Sequence, residues 1–253
     1  MHSAETVERV LELRAQGLGA RRIARLTGLS PRTVADWISG RVPRSARMGT
    51  ATCERCGAEP HRFDELDPPA YVYLLGVYLG DGYVARHARG VHRLRVSLDP
   101  RYPGIVAECV SAIEEVRPGV RVAQQARSGP WGEWVEVGAY SKSWPCLFPQ
   151  HGPGKKHERE IELRDWQVEL VQRAPEQFVR GLIHSDGCRF ENTGRGGWRA
   201  PRYSFSNRSD DIIALFCWGC ELLGLRWTES RNTIYVSRKA DVARMDEFIG
   251  PKR

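Results

Sequence analysis

A short stretch of sequence occurs twice in this chain. The first copy, YLLGVYLGDGY, occupies residues 73–83, and the second, FVRGLIHSDGC, occupies residues 178–188. The copies are in register at a constant offset, because 186 − 81 = 105 and 181 − 76 = 105. An internal repeat fixes the architecture, since each copy is expected to build the same unit. Each copy ends an apolar helix in an aspartate, Asp81 or Asp186, and a carboxylate in such a place needs a specific partner.

The same elements are predicted after each copy. Residues 92–98 and 202–206 alternate between polar and apolar side chains, as half-buried strands do. Helices are predicted over 103–116 and 210–223, each followed by two further strands and a closing helix. Both halves therefore read helix, two strands, helix, two strands, helix, and the fold class is α+β.

Charge and composition indicate the kind of partner. The chain has 253 residues, 38 Lys+Arg against 31 Asp+Glu, and a pI near 9.2, which favours a polyanion. We see no signal peptide and no apolar run of the ~20 residues that a membrane helix needs. The seven cysteines are therefore expected to be reduced. We expect no membrane partner and a cytoplasmic, nucleoid-associated protein.

Residues 4–39 predict three short helices that resemble a helix-turn-helix motif. Gly28 lies at the turn, Ser30 is placed to cap the third helix, and Pro31 suits its first position. In that motif the third helix enters the major groove. The resemblance makes four residues candidate base readers: Ser30, Arg32, Thr33 and Asp36. A small helical bundle with solvated basic faces is the alternative.

A basic linker containing Arg41, Arg44 and Arg47 follows, and then Cys53 and Cys56 form a Cys-x-x-Cys-Gly turn. Such a turn supplies half of a zinc site, and His61 is a candidate third ligand. A second pair, Cys217 and Cys220, would complete a four-cysteine Zn²⁺ site if the fold brought the pairs together. The alternative is that the second pair packs in the core, one helical turn apart.

The boundaries of the domains follow from these features. They predict a helix-turn-helix domain at 1–45, a linker with the cysteine turn at 46–65, a first repeat at 66–150, an inter-repeat segment at 151–174 and a second repeat at 175–253. The inter-repeat segment is basic, and Lys155 and Lys156 either contact DNA phosphate or are simply solvated.

The two repeats resemble the LAGLIDADG homing endonucleases in their monomeric, two-repeat form. The motif is read at residues 74–82 and 179–187. The resemblance implies that the two helices cross closely through small residues, which are Gly76, Gly80, Gly181 and Ser185. It also implies that Asp81 and Asp186 meet there and bind Mg²⁺ for cleavage of double-stranded DNA.

The resemblance further implies a saddle of strands over DNA. Candidate DNA-contacting residues are Arg93, Arg95, Ser97, Gln124, Gln125, Arg189, Asn192, Arg202, Ser204, Ser206, Arg226 and Thr228. The family often has a basic residue at the end of the fourth strand, near the scissile phosphate. Lys142 and Arg238 fall near that place and are the catalytic candidates.

Two residues depart from the family motif. Arg180 replaces a small or apolar residue, and His184 is expected to be buried at an interface and not to act as a general base. The chain is thus expected to be a site-specific endonuclease. The alternative is a regulator that binds DNA without cutting it. An intein fragment is a weaker reading, because we see no splice-junction residues.

Overall fold

A computed structural model describes residues 4–42, 53–58, 60–130, 132–250 and 252. The chain divides into two compact units, Met1–Cys53 and Glu54–Arg253. Most of the predicted basic linker, including Arg44 and Arg47, lies outside the described residues. Within the described part of the chain, no helix combines the length and apolar character that crossing a membrane requires.

The small unit contains the three predicted helices, α1 (Ala4–Ala15), α2 (Ala20–Thr27) and α3 (Pro31–Ile38). Gly28 ends α2 with a φ of 68°, the left-handed conformation that glycine adopts without strain. Ser30 caps α3 by accepting a hydrogen bond from the Thr33 amide at 3.0 Å. The buried side chains are Val7, Val10, Leu13, Ile23, Ala24, Val34 and Trp37.

The large unit contains two copies of one αββαββα order. The first copy comprises α4 (Pro68–Asp81), β1 (Gly82–Arg86), β2 (His92–Leu98), α5 (Pro103–Val116), β3 (Val122–Gly129), β4 (Gly132–Ser141) and α6 (Trp144–Leu147). Helix α7 (Asp165–Arg173) joins it to the second copy. That copy comprises α8 (Pro175–Asp186), β5 (Gly187–Thr193), β6 (Arg199–Ser206), α9 (Asp210–Leu222), β7 (Thr228–Ser230), β8 (Thr233–Val236) and α10 (Lys239–Ile249).

Each copy forms one antiparallel four-stranded sheet. The strand orders are β1-β2-β4-β3 and β5-β6-β8-β7, which correspond strand for strand. The predicted α+β class and repeated order are thus confirmed. The first strand of each sheet, β1 or β5, starts directly at the glycine that ends the preceding helix, Gly82 or Gly187.

Helices α4 and α8 cross with their backbones in contact. A Cβ atom added to Gly76 would lie 2.6 Å from the Phe178 carbonyl oxygen, and one added to Gly181 would lie 2.2 Å from that of Tyr73. No side chain fits at either position, so glycine is required for this approach. The crossing brings the ends of the two helices, and their aspartates, to one place.

Arg180 and His184 form a second link between the repeats. Arg180 of α8 makes two hydrogen bonds of 2.7 Å to Glu108 of α5, and it also donates to the carbonyl of Ile249. His184 is buried, and its Nδ1 lies 3.0 Å from the Tyr73 hydroxyl. Burial and the charge of Arg180 lower the pKa of His184 to about 4, so the imidazole is neutral near pH 7. Its predicted burial is confirmed.

Candidate active site and nucleic-acid interface

Two carboxylates meet where α4 and α8 end. Asp81 and Asp186 are the last residues of these helices. The Asp186 carboxylate lies against the backbone of α4, because a Cβ atom added to Gly80 would be 2.8 Å from its Oδ2. The Asn207 side chain donates a 2.7 Å hydrogen bond to the same oxygen. Two acidic groups from opposite halves of the large unit therefore share one site.

The carboxylates influence each other electrostatically. Burial and the charge of Asp186 raise the pKa of Asp81 to about 7, and burial raises that of Asp186. The positive charges of Lys156 and Lys252 oppose both shifts. Buried like charges favour a cation between them. Hard carboxylate oxygens are also the ligands that Mg²⁺ prefers, so the donor set fits a divalent metal.

Two lysine amines cap the motif helices beside this pair. Lys156 Nζ donates to the carbonyl oxygens of Tyr78, Leu79 and Gly80 at 2.6, 2.8 and 2.8 Å. An ammonium group has three N–H donors, so these bonds use all of them. The amine thus neutralises the negative end of α4 next to Asp81.

Lys252 has the matching position at the end of α8. Its Nζ donates to the carbonyl oxygens of His184 and Gly187 at 3.3 and 2.5 Å. Burial lowers the pKa of both Lys252 and Lys156, the latter to about 8, while the two aspartates raise these pKa values. Each of these two helices therefore has an aspartate as its last residue. The end of each helix is also capped by a lysine from a distant part of the chain.

This arrangement differs from the predicted placement of basic groups. Lys142 and Arg238, the predicted catalytic candidates, are exposed, after β4 and before α10. Lys155 is exposed and pairs with Glu158 at 3.5 Å. Lys156 binds the end of α4 instead, so its amine is neither simply solvated nor directed at a phosphate. The sequence carries one signal for these two capping lysines. A Gly-Pro pair precedes Lys156 at 152–156 and Lys252 at 250–252.

A carboxylate with three arginines lies on the outer face of the first sheet, the face turned away from the helices. Glu136 is 1% exposed, and its Oε1 lies 2.9 Å from Arg93 and 3.5 Å from Arg127. Arg95 Nε donates to its other oxygen at 2.8 Å. Two predicted DNA contacts, Arg93 and Arg95, are therefore held in fixed directions by one acidic group.

The outer face of the second sheet has different chemistry. Register places Cys188, Ser204 and Tyr235 in one row and Ser206 beside Thr233 in the next. Ser206 and Thr233 share a 2.8 Å hydrogen bond, and the Arg202 guanidinium lies 5.9 Å from the ring centroid of Tyr235. Predicted contacts on this face are Asn192, Arg202, Ser204, Ser206 and Thr228. This face is rich in hydroxyl groups and has no counterpart of Glu136 among the described residues.

Strand register corrects two of the predicted DNA contacts. Gln124 pairs with Val137 on the helix-facing side of its sheet, whereas Gln125 pairs with Glu136 on the outer face. Arg189 pairs with Tyr203 and forms a 2.7 Å ion pair with Asp246 of α10. Neighbouring residues of a strand point to opposite faces, so Gln124 and Gln125 cannot share one surface.

Ser97 and Arg226 are two other predicted DNA contacts, one on a strand and one just before a strand. Ser97 precedes the end of β2 and pairs with Glu136 across the sheet, on the outer face. Arg226 lies just before β7, and its amide donates to Asp241 at 3.1 Å. Its backbone is thus fixed while its side chain is exposed.

The candidate readers of the small unit are partly committed to local bonds. The Ser30 hydroxyl caps α3 and lies 2.8 Å from the Thr33 hydroxyl. Asp36 forms an exposed 3.8 Å ion pair with Arg41. Arg32 is exposed in the first turn of α3. Arg32 is therefore the candidate best placed to contact a base edge.

The predicted four-cysteine site is wrong. Cys217 and Cys220 are buried one turn apart in α9, and burial raises the pKa of both thiols. They pack as core residues, the alternative reading of this pair. Among the described residues, Cys53 and Cys56 lie close to His61 and Cys146 and not to Cys217 and Cys220.

Solved structures similar to this chain include LAGLIDADG homing endonucleases. I-WcaI bound to its DNA recognition sequence has a TM-score of 0.49 and 13% identity, over 74% of this chain and 83% of that chain. Mesophilic variants of I-DmoI give 0.46 and 15%, over 72% and 89%. The meganuclease I-AabMI bound to uncleaved DNA gives 0.42 and 13%, over 72% and 83%.

No protein-family model matches the sequence, and no curated protein sequence is significantly similar to it. The identities of 13–15% and the TM-scores of 0.42–0.49 reflect a likeness of fold alone. What this chain has in its own right is a close crossing of two helices with one aspartate at the end of each helix.

Replacing Glu136 with glutamine tests the arginine cluster. We expect the variant to lose about 2 kcal/mol of unfolding free energy at pH 7, because three guanidinium groups lose a buried counter-charge. Two of these arginines are nearly half exposed, which limits the loss. Urea denaturation measures it. Glu133→Gln, an exposed change on the same strand, is the control and should be nearly neutral.

The pH dependence of that difference has a definite sign. Burial alone would raise the pKa of Glu136, but the hydrogen bond and charge of Arg95, together with Arg93 and Arg127, hold it below its usual value. A depressed folded-state pKa stabilises the protein above the unfolded pKa and loses that effect as the pH falls through the folded value. The gap between wild type and Glu136→Gln should therefore shrink in acid. A gap that widens in acid would contradict the pairing.

Proposed function

We propose that this chain is a site-specific DNA endonuclease that uses a divalent metal ion to cut both strands of its target. The observation that supports this proposal most directly is the pair Asp81 and Asp186 at the base of two crossing helices. Burying two like charges together raises the pKa of Asp81 and costs stability. A role in binding a metal accounts for that cost.

Asp81 and Asp186 are the residues that would hold the metal. When bound, Mg²⁺ would supply Lewis-acid stabilisation of the charge that develops on the phosphate and the leaving oxygen. The other residues act on the protein side. Lys156 and Lys252 fix the ends of α4 and α8 and balance the carboxylate charge. Asn207 orients one oxygen of Asp186 by its 2.7 Å hydrogen bond.

The outer faces of the two sheets form the proposed DNA surface. Arginines held by Glu136 on the first sheet are able to bind guanine edges or phosphates through paired N–H donors. Hydroxyl and aromatic groups of the second sheet supply contacts of a different kind. The small unit is a second DNA-binding element, with α3 as its recognition helix and Arg32 as its leading contact.

The test has two stages. Double-stranded DNA bound by the purified full chain is selected from a random pool, and the selected site is then incubated with the protein in Mg²⁺ or in EDTA. We expect cleavage of both strands in Mg²⁺ only, and binding that weakens steeply with salt, by a slope of about 0.9 per phosphate contact. Tight, selective binding without cleavage in Mg²⁺ or Mn²⁺ would overturn the endonuclease proposal.

That second outcome would favour the alternative, a DNA-binding regulator. The small unit supports this candidate, because its turn glycine, its serine cap and its buried core have the arrangement that a helix-turn-helix needs. In a regulator the large unit would add binding surface without chemistry. The two candidates therefore share DNA binding and differ in cleavage alone.

A further inference from the structure

A second group of potential metal ligands consists of three thiols and one imidazole, in contrast to the carboxylates of Asp81 and Asp186. The ligand atoms all lie within 4.8 Å of one another and come from Cys53, Cys56, His61 and Cys146. Cys56 Sγ and His61 Nε2 are 3.2 Å apart. Cys146 is buried in α6, and the other three are half-buried.

We propose that this group is a structural zinc site, with one Zn²⁺ ion bound by three thiolates and one imidazole. Tetrahedral zinc has Zn–S distances of about 2.3 Å and Zn–N distances of about 2.0–2.1 Å, which place three sulfur atoms and one nitrogen atom roughly 3.5–3.8 Å apart. The observed ligand atoms lie within 4.8 Å of one another, with one pair at 3.2 Å, so small shifts bring them to that geometry. Four protein ligands leave no open position, which is the pattern of structural sites and not of catalytic ones.

The local chain is shaped for these ligands. Residues 54–56 form a turn, and Gly57 follows with a φ of 63°, a conformation that side chains rarely adopt. The turn directs Cys53 and Cys56 to one side, as in a zinc knuckle. All four ligands lie between residues 53 and 146, so the site needs no assumption about the helices before residue 42.

The histidine is oriented by an aromatic stack. The His61 ring stacks on Phe63 with centroids 5.4 Å apart, and Phe63 stacks on Trp166 of α7 at 4.0 Å. Fixing the ring of a metal-binding histidine is a common function of the groups around a zinc ion. The stack also connects the ligand to the core of the large unit, because Phe63 and Trp166 pack against it.

The segment needs such an anchor. No described residue between Cys53 and Leu66 is fully buried, and the only regular element there is one short helical turn, Phe63–Glu65. A segment without its own core is commonly held by a metal ion or a disulfide. The structure describes all seven cysteines, and none of them forms a disulfide. Zinc would fix this segment to α6 and hence to the end of the first repeat.

Metal content tests the proposal directly. The full chain, made without a histidine tag, is expected to contain about one zinc per molecule by elemental analysis. Cobalt added in place of zinc should give the visible bands of a tetrahedral, thiolate-bound ion. Cys146→Ser and His61→Ala should each lose the bound zinc. Cys188→Ser, which changes an exposed cysteine, should keep it.

A chelator experiment in the wild-type protein does not depend on how the variants fold. Removing zinc should lower the melting temperature, and adding it back should restore the original value. A wild-type protein without zinc and without a tetrahedral cobalt spectrum would overturn the site. So would loss of zinc in Cys217→Ser together with its retention in Cys146→Ser. DNA cleavage is not a readout here, so failure of this site would leave the endonuclease proposal untouched.

Discussion

Asp81→Asn and Asp186→Asn are each expected to reduce double-strand cleavage by at least about 10³-fold while leaving DNA affinity within about twofold. The reason is that an asparagine oxygen carries no charge and binds Mg²⁺ poorly, whereas the proposed DNA surface lies on the sheets and is unchanged. Cleavage of the selected site measures the first quantity, and a binding titration in Ca²⁺ or EDTA measures the second. Asp165→Asn, an exposed change in the first turn of α7, is the matched control and should cut normally.

The same variants separate lost chemistry from lost structure. Burial and the neighbouring charge raise the pKa of Asp81, so a neutral side chain at this position relieves a cost in the folded state. In EDTA we therefore expect Asp81→Asn to unfold at a temperature no lower than that of the wild type. A variant that keeps full cleavage would exclude Asp81 from the active site. A variant that fails to cut because it has melted would show a lowered melting temperature.

Gly181→Ala is expected to give the largest loss of stability, about 2–4 kcal/mol in the free energy of unfolding. The added Cβ would lie 2.2 Å from the Tyr73 carbonyl oxygen and 3.0 Å from the Val77 amide nitrogen. Both are backbone atoms, so the helices must separate. Overpacking of this kind costs about 1–3 kcal/mol or more, which exceeds the roughly 1 kcal/mol that alanine gains over glycine inside a helix. Urea denaturation followed by circular dichroism measures the difference.

Gly219→Ala is the matched control for that change. Gly219 is also buried inside a helix, but the nearest atoms to an added Cβ are the side-chain carbons of Val179 and Phe178, at 2.9 and 3.4 Å. Side chains can shift where backbones cannot, so we expect a clearly smaller loss. If Gly181→Ala and Gly219→Ala proved equally stable, the close approach of α4 and α8 would be wrong. Separating these helices should also impair cleavage, because it moves Asp81 away from Asp186.

Local sequence rules predicted the elements well. Helix α5 has the predicted bounds, Pro103–Val116, and Gly28 and Ser30 mark the turn and the cap of the small unit as predicted. Asp67 caps α4 in the same way, with its carboxylate accepting a hydrogen bond from the Ala70 amide at 2.9 Å. The repeat predicted that both halves share one order, since identical patterns bury identical faces. These features are encoded within a few residues of where they act.

Contacts between distant residues were not predictable in the same way. Lys156 caps a helix 76 residues earlier, and Cys146 joins a turn that lies more than 80 residues before it. Neither pairing has a local signal, because only the folded chain brings the partners together. Gln124 was assigned to the wrong face for a related reason, since the alternation of β3 is weak and its register is set by β4.

The unequal chemistry of the two sheet faces has a consequence for the DNA binding that we propose. A dimer of identical halves reads a palindrome and binds it equally well in either direction. Here one half carries arginines gathered around Glu136, and the other carries hydroxyl groups around Ser206 and Tyr235. Turning the molecule end for end would place each half over bases that suit the other. On this proposal, the protein binds its target in one orientation, and the target sequence is not a palindrome.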